Sequence, residues 1–174
     1  MSLGRRKDMS SISNMPIESM GVEMEGTDEY VWDHYQESVK MSTYLLAFVV
    51  SKFRSTESTR DSNVRFRIWS TPNSLDQTEY AKDIGPQMIE YFESHFIVPF
   101  HLPKQDMIAI PDFGADAMEN WGLITFRESA LMYKQGVSSA KSKQKIAMII
   151  SHELVHQWFG KNFFVFTECN KLAH

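Results

Sequence analysis

The sequence has little of several features that mark particular protein classes. It contains a single cysteine, Cys169, which excludes an intramolecular disulfide framework. Its longest apolar run, residues 44–50, is far shorter than the roughly 20 residues of a membrane-spanning helix, so no membrane span is predicted. The basic residues near the N-terminus are not followed by the apolar core of a signal peptide. The 18 basic and 22 acidic side chains form no basic stripe, so no nucleic-acid partner is predicted.

What remains is a globular composition, with 43% hydrophobic and 23% charged residues over 174 positions. Residues 1–37 are polar and Met-rich, which predicts irregular structure with one short strand. Residues 38–53 are rich in β-branched and aromatic side chains, which predicts a strand pair or one long strand. A Ser/Thr-rich stretch at 55–63 indicates a loop or domain boundary. Apolar and basic residues then alternate over 64–68, the pattern of a half-buried strand.

Two helices and two further strands are predicted beyond that point. Ser74 is a candidate N-cap, and the apolar residues after it recur at spacings of three and four. Pro86 lies inside this pattern and should kink or divide the helix. Short buried strands are predicted at 107–110 and 123–126. A second helix is expected from about Lys143, and its buried side is marked by Ile146, Ile149, Ile150, Leu154 and Trp158.

The second helix carries the pattern H-E-x-x-H. His152 and His156 are four positions apart, so on a helix they share one face and can bind a single zinc ion. Glu153 projects close enough to take a proton from a zinc-bound water. The alternative is a helix with two hydrogen-bonded histidines, but bare His and Glu on a buried helix are costly unless they are liganded. The sequence therefore predicts a catalytic site with one Zn²⁺ as cofactor.

Two segments resemble one known family. The sequence HELVHQWFG at residues 152–160 is similar to the zinc helix of the aminopeptidase N type of zinc metalloaminopeptidase. Upstream, PDFGADAMENWG at 111–122 resembles that family's exopeptidase motif, Gly-Ala-Met-Glu-Asn. The stretch LPKQDM at 102–107 and the dipeptide at 127–128 also match the family's usual sequence.

The exopeptidase motif has a physical interpretation of its own. Ala117, Met118, Glu119 and Asn120 would lie extended beside the zinc cleft and offer backbone groups to a substrate strand. Glu119 would hold the free α-ammonium of a peptide, which restricts cleavage to N-terminal residues. The alternative for Glu119, a solvated carboxylate beside a packed Trp121, is less favoured next to the histidine pair. These four residues are therefore predicted to bind the substrate.

The resemblance implies an α+β fold and a function. Residues 1–60 would be the C-terminal part of an N-terminal β domain, and 61–160 the N-terminal part of a thermolysin-like catalytic domain with a sheet and a zinc helix. Residues 161–174 form a tail without family likeness. The implied activity is hydrolysis of N-terminal residues from peptides with a free N-terminus, with Glu153 as general base. The family includes plasma-membrane type II ectoenzymes and cytoplasmic forms, which leaves the location open.

The sequence departs from the family pattern in three places. Asp116 stands where the family has Gly, and its charge is expected to assist or compete with Glu119. The tail replaces the family's usual continuation, and its apolar residues 163–166 are expected to form an exposed or misfitted strand. The third zinc ligand implied by the family, a Glu immediately after His174, lies outside the sequence; Glu168 and His174 are weak substitutes.

These departures predict an incomplete catalytic domain that binds zinc weakly and turns over slowly or not at all. One alternative is a non-catalytic truncated isoform that binds peptides or associates with a full-length homologue. Another is an endopeptidase that shares only the zinc helix, although the motif at 117–120 argues against it.

Overall fold

A computed structural model describes residues 1–60 and 62–159 and confirms the mixed α+β architecture. The predictions made for Glu168, for His174, for the strand at 163–166 and for the tail at 161–174 lie outside the described residues. No helix in the described ranges is both long enough and apolar enough to cross a membrane.

Two small antiparallel sheets occupy the N-terminal part. In the first, β4 lies between β1 and β3; in the second, β2 pairs with β5. Their bounds are β1 Ser2–Arg6, β2 Ser10–Ser13, β3 Ile17–Glu23, β4 Tyr30–Tyr35 and β5 Phe48–Ser51. The expectation of irregular structure with one short strand over 1–37 is therefore wrong. It failed because several inward positions carry polar groups, and the buried Asp33 carboxylate accepts hydrogen bonds from Arg5 and Ser11.

The larger sheet has the order β6-β7-β8-β10-β9. Its three central strands are parallel and both edge strands are antiparallel to their neighbours. The bounds are β6 Arg54–Glu57, β7 Arg65–Ser70, β8 Lys104–Ile110, β9 Ala117–Met118 and β10 Leu123–Arg127. The strands expected at 64–68, 107–110 and 123–126 are thus confirmed. Over 38–53 the structure has β5 and a short 3₁₀ turn, and β5 pairs with β2 rather than with a sequence neighbour.

The helices are α1 Glu79–Phe96, α2 Glu128–Leu131 and α3 Ala140–Val155. Ser74 is not an N-cap, because it lies in a 3₁₀ segment, Pro72–Thr78, that precedes α1. Pro86 does not divide α1, since packing of an amphipathic face supplies most of a helix's stability. Helix α3 starts before the predicted Lys143, because the Ser139 side chain caps it by accepting a hydrogen bond from the Ser142 backbone N–H at 3.0 Å.

The central strands bury both faces. Along β8, Met107 and Ala109 belong to the main core, whereas Ile108 packs with Ile12 and Leu123 in a second cluster. Because successive strand residues point to opposite faces, the helices cover one face and the β2–β5 sheet covers the other. The predicted buried side of α3 is confirmed: its core residues are Ile146, Ile149, Ile150 and Leu154, followed by Trp158.

Candidate active site

Two histidines meet at the C-terminal end of α3. His152 lies in the last turn, and His156 is the C-cap residue. Their Nε2 atoms are 3.2 Å apart. Two nitrogens bound to one tetrahedral zinc at about 2.0–2.1 Å would be about 3.3 Å apart, so the spacing of this pair is compatible with a shared zinc ion. The helical spacing read from the sequence therefore brings two imidazole nitrogens close together.

A third ligand is not found near the pair in the part of the chain that the structure describes. Over residues 1–60 and 62–159 there is no group of three or more His, Cys, Asp or Glu side chains suited to a metal ion. Catalytic zinc sites have three protein ligands and one open position. Among the described residues, the two histidines are thus the candidate ligands, one fewer than such a site needs.

Glu153 lies between the two histidines in sequence and is buried, with 7% of its surface exposed. Burial raises the pKa of its carboxyl group; the nearby His152 opposes this rise and Glu119 adds to it. A carboxylate with a raised pKa is better matched to taking up a proton near neutral pH. The environment of Glu153 thus suits a proton acceptor.

Strand β9, formed by Ala117 and Met118, is at the edge of the large sheet beside α3. It pairs with β10 on one side, and no strand among the described residues pairs with its other side. An edge strand offers unpaired backbone groups to an extended peptide. Of the four motif residues predicted to lie extended, Ala117 and Met118 form this strand beside the histidine-bearing helix, whereas Glu119 and Asn120 belong to the turn that follows.

The next two motif residues differ in their surroundings. Glu119 is half-buried and shares a cleft of about 370 Å³ with His156. Asn120 is buried instead, and its side chain accepts a hydrogen bond from Thr125 Oγ1 at 3.2 Å and donates to the Tyr44 carbonyl at 3.5 Å. The structure therefore brings Glu119 to the cleft and turns the Asn120 side chain inward. The cleft is also lined by Lys40, Met41, Tyr44, Trp121 and Phe159.

Contacts from three parts of the chain hold the turn at residues 119–122. Asn14 donates to the Trp121 carbonyl at 2.7 Å, and the Lys104 ammonium donates to the Gly122 carbonyl at 2.7 Å. From the end of α3, the Gln157 side chain accepts from the Gly122 N–H at 3.2 Å and donates to the Glu119 carbonyl at 3.4 Å. None of these three residues was predicted to serve the site, because the groups they bind are distant in sequence.

Gly122 is needed at this turn for two reasons. Its φ of +73° is a left-handed conformation that side chains disfavour. A Cβ atom there would also lie 2.3 Å from the carbonyl oxygen of Asn14. The turn can approach the N-terminal strands this closely because position 122 has no side chain.

A buried charge cluster lies under the turn. The Asp106 carboxylate accepts hydrogen bonds from Arg67 at 2.6 and 2.7 Å and pairs with Lys104 at 2.7 Å. Burial alone would raise the pKa of Asp106, but the charge of Lys104 and the hydrogen bonds from Arg67 outweigh it and lower that pKa. Asp106 is thus ionised, and it fixes the ammonium that binds Gly122.

Asp116 makes a surface contact with helix α3. Its carboxylate lies 3.1 Å from the Lys145 ammonium on α3, and both side chains are about half exposed. The charge expected to assist or compete with Glu119 is therefore paired with a cation.

Comparison with known proteins gives one family. Residues 80–171, more than half of the chain, match the family described as the Peptidase family M1 domain. This range runs past residue 160 into the segment set apart above as a tail.

Three relatives illustrate the similarity. The chain is 49% identical to endoplasmic reticulum aminopeptidase 1 of Rattus norvegicus over 150 residues, which are 86% of the chain and 16% of that protein. It is 42% identical to aminopeptidase N of Bos taurus over 156 residues, 88% of the chain and 16% of that protein. It is 45% identical to aminopeptidase M1 of Arabidopsis thaliana over 153 residues, 88% of the chain and 17% of that protein. The chain thus spans about a sixth of the length of these relatives.

Proposed function

Since the chain belongs to peptidase family M1, which confirms the family resemblance, we propose that its described residues serve the zinc-dependent removal of N-terminal residues from peptides. One observation carries the proposal: the two converging histidine nitrogens lie 3.2 Å apart, and His156 shares its cleft with the carboxylate-bearing Glu119.

His152 and His156 would hold the zinc ion through their imidazole side chains. Zinc bound there would lower the pKa of a coordinated water to about 7 and polarise the scissile carbonyl group. Glu153 would accept a proton from the water that attacks the scissile carbonyl carbon and would pass it to the leaving amine as the C–N bond breaks. Its buried position keeps bulk water from weakening this interaction.

Glu119 and β9 orient the peptide. The half-buried carboxylate of Glu119 provides a counter-charge for the α-ammonium, and screening by solvent is weaker there than on an open surface. Ala117 and Met118 offer backbone groups along the edge of β9 that no described strand pairs with, and Asn120 steadies the turn through Thr125. A peptide with a blocked N-terminus has no positive charge for Glu119 to bind. Substrates are therefore expected to need a free N-terminal amine.

The test uses the full 174-residue chain with zinc titrated by calorimetry, together with hydrolysis of leucyl-p-nitroanilide and its N-acetylated form. We expect weak zinc binding through two imidazoles and slow, zinc-dependent release of nitroaniline from the free-amine compound alone. Cleavage of N-terminally blocked peptides would favour the endopeptidase alternative. Strong turnover at stoichiometric zinc would contradict the expected weak binding.

A second candidate function is a non-catalytic peptide-binding or interaction module. The observation that favours it is the lack of a third ligand near the histidine pair within the described residues. This candidate predicts binding of free-amine peptides without hydrolysis at any zinc concentration. Co-elution with a full-length homologue in size-exclusion chromatography would support the interaction role, and zinc-dependent turnover would exclude it.

A further inference from the structure

We infer that Gln157 is a positioning residue that fixes the distance between the amine-binding Glu119 and the histidine pair. This inference rests on the proposed function, and it assigns the placement of the amine-binding Glu119 to a residue outside the H-E-x-x-H pattern. Gln157 follows His156 directly and is fully buried.

Both ends of the Gln157 side-chain amide form hydrogen bonds with the turn at residues 119–122. Its Oε1 accepts from the Gly122 N–H at 3.2 Å, and its Nε2 donates to the Glu119 carbonyl at 3.4 Å. The amide therefore spans the turn from its first residue to its last. Because Gln157 sits on the chain segment that carries His156, these bonds connect the two halves of the site directly.

The other anchors of the turn lead elsewhere. Asn14 joins Trp121 to the N-terminal strands, and Lys104 joins Gly122 to the central strand β8. They fix the turn against the sheets but do not set its distance from α3. The buried side-chain amide of Gln157 sets that distance through its two hydrogen bonds to the turn.

The geometry has a consequence for specificity. A displacement of about 1 Å at a substrate-positioning group can cost 100-fold in rate. If the Gln157 amide is lost, the turn keeps its sheet contacts but loses its hydrogen bonds to the segment that carries His156, so the distance between Glu119 and the histidine pair is held less tightly. Recognition of the amine should then weaken, while the two imidazoles are unchanged.

The test compares two ligands of the zinc-loaded full chain by calorimetry: leucine hydroxamate and N-acetyl-leucine hydroxamate, which share the metal-binding group and differ in the free amine. We expect the unaltered chain to prefer the free amine. Gln157→Met should reduce that preference about tenfold, a loss of about 1.4 kcal/mol, with the affinity for zinc and for the acetylated compound unchanged. Gln157→Glu, which keeps an acceptor for Gly122 and loses the donor to Glu119, should act in the same direction.

The control is Gln105→Met, since Gln105 is another fully buried glutamine, on β8, whose amide donates to the Asp106 carbonyl. It should leave the amine preference intact.

A second measurement adds Cu²⁺, which binds imidazoles more tightly than Zn²⁺, and follows paramagnetic broadening of the Glu119 and Gly122 amide signals. The broadening should change in the Gln157 variants and not in the control.

Two outcomes overturn the inference in distinguishable ways. If the unaltered chain shows no preference for the free amine, the proposed function fails and the inference fails with it. If the unaltered chain prefers the free amine and the Gln157 variants keep that preference, or lose affinity equally for both ligands, the inference alone is wrong.

Discussion

The histidine pair, of which His156 lines the cleft, and the turn at residues 119–122 beside it are built in opposite ways. His152 and His156 converge because four positions make one turn of a helix. The turn depends on residues that are far away in sequence, with 107 positions between Asn14 and Trp121 and 35 between Gly122 and Gln157. The first half of the site is local and needs one stable helix, whereas the second needs the whole fold.

This difference predicts that substitutions in the two halves of the site have different effects. Changes in the local half should alter chemistry or metal binding and leave the fold intact. Changes in the turn should alter stability and amine recognition together, because the same hydrogen bonds serve both. The following substitutions test that separation, in order of decreasing effect.

The largest effect is expected from Glu153→Gln, within the local half. Loss of the proton acceptor should lower zinc-dependent hydrolysis of leucyl-p-nitroanilide about 100- to 10,000-fold. Zinc affinity and the thermal midpoint should stay close to those of the unaltered chain, since Gln has the same shape. Glu79→Gln, at an exposed glutamate on α1, is the matched control and should have little effect on either. Retained activity in Glu153→Gln would remove Glu153 from the reaction.

Asp106→Asn should produce the largest loss of stability. It leaves the Lys104 ammonium buried without its counter-charge, a defect that costs about 3–5 kcal/mol. Because Lys104 also binds Gly122, we expect amine preference to fall with stability. Urea unfolding measures the first and hydroxamate binding the second. The control Asp116→Asn, at an exposed aspartate, should change stability by less than about 1 kcal/mol. A stable Asp106→Asn variant would show that the charge cluster does not support the turn.

The same aspartate predicts a pH dependence. The pKa of Asp106 is lower in the folded chain than in the unfolded chain, so its contribution to stability is fully present above the unfolded value of about 4. That contribution is lost as the pH falls through the lower folded value. The free energy of unfolding should therefore drop from about pH 5 downward, and the drop should be shallower in Asp106→Asn. Parallel curves for the two proteins would contradict this assignment.

The same contrast explains what the sequence could predict. Strands β8 and β10 are predictable because they contain short continuous buried runs, and helix α3 because its buried residues recur at helical spacing. The N-terminal strands were missed because Arg5, Ser11 and Asp33 fill inward positions as a hydrogen-bonded group, which hides the period of two. The resemblance identified Glu119, but Gln157 could not be assigned a role, since its partners become neighbours only after the sheet and α3 have packed.

Gly122→Ala acts directly on the turn and should cost about 1–3 kcal/mol. The new Cβ would require a left-handed φ and would approach Asn14 too closely, so the turn has to move away from the N-terminal strands. Gly114→Ala is the control, because no atom lies within 4 Å of a Cβ at that position. Urea unfolding of the two variants should differ clearly. Equal stabilities would mean that the turn can shift to accommodate a Cβ atom at little cost, and that the close approach of Gly122 to Asn14 is not needed for stability.

The smallest effect is expected from Asp116→Asn, although its ion pair with Lys145 also joins the β9 side of the site to α3. The two side chains are 51% exposed, so water and salt screen their attraction, and such pairs contribute about 0–1 kcal/mol. A double-mutant cycle with Lys145→Gln, measured by urea unfolding, should give a small coupling energy that disappears in 1 M salt, where the Debye length is about 3 Å. Hydroxamate preference should be unchanged, because the buried amide of Gln157 still holds the turn. A loss of amine preference here would instead mean that a surface charge, rather than the buried amide, sets the geometry between Glu119 and the histidine pair.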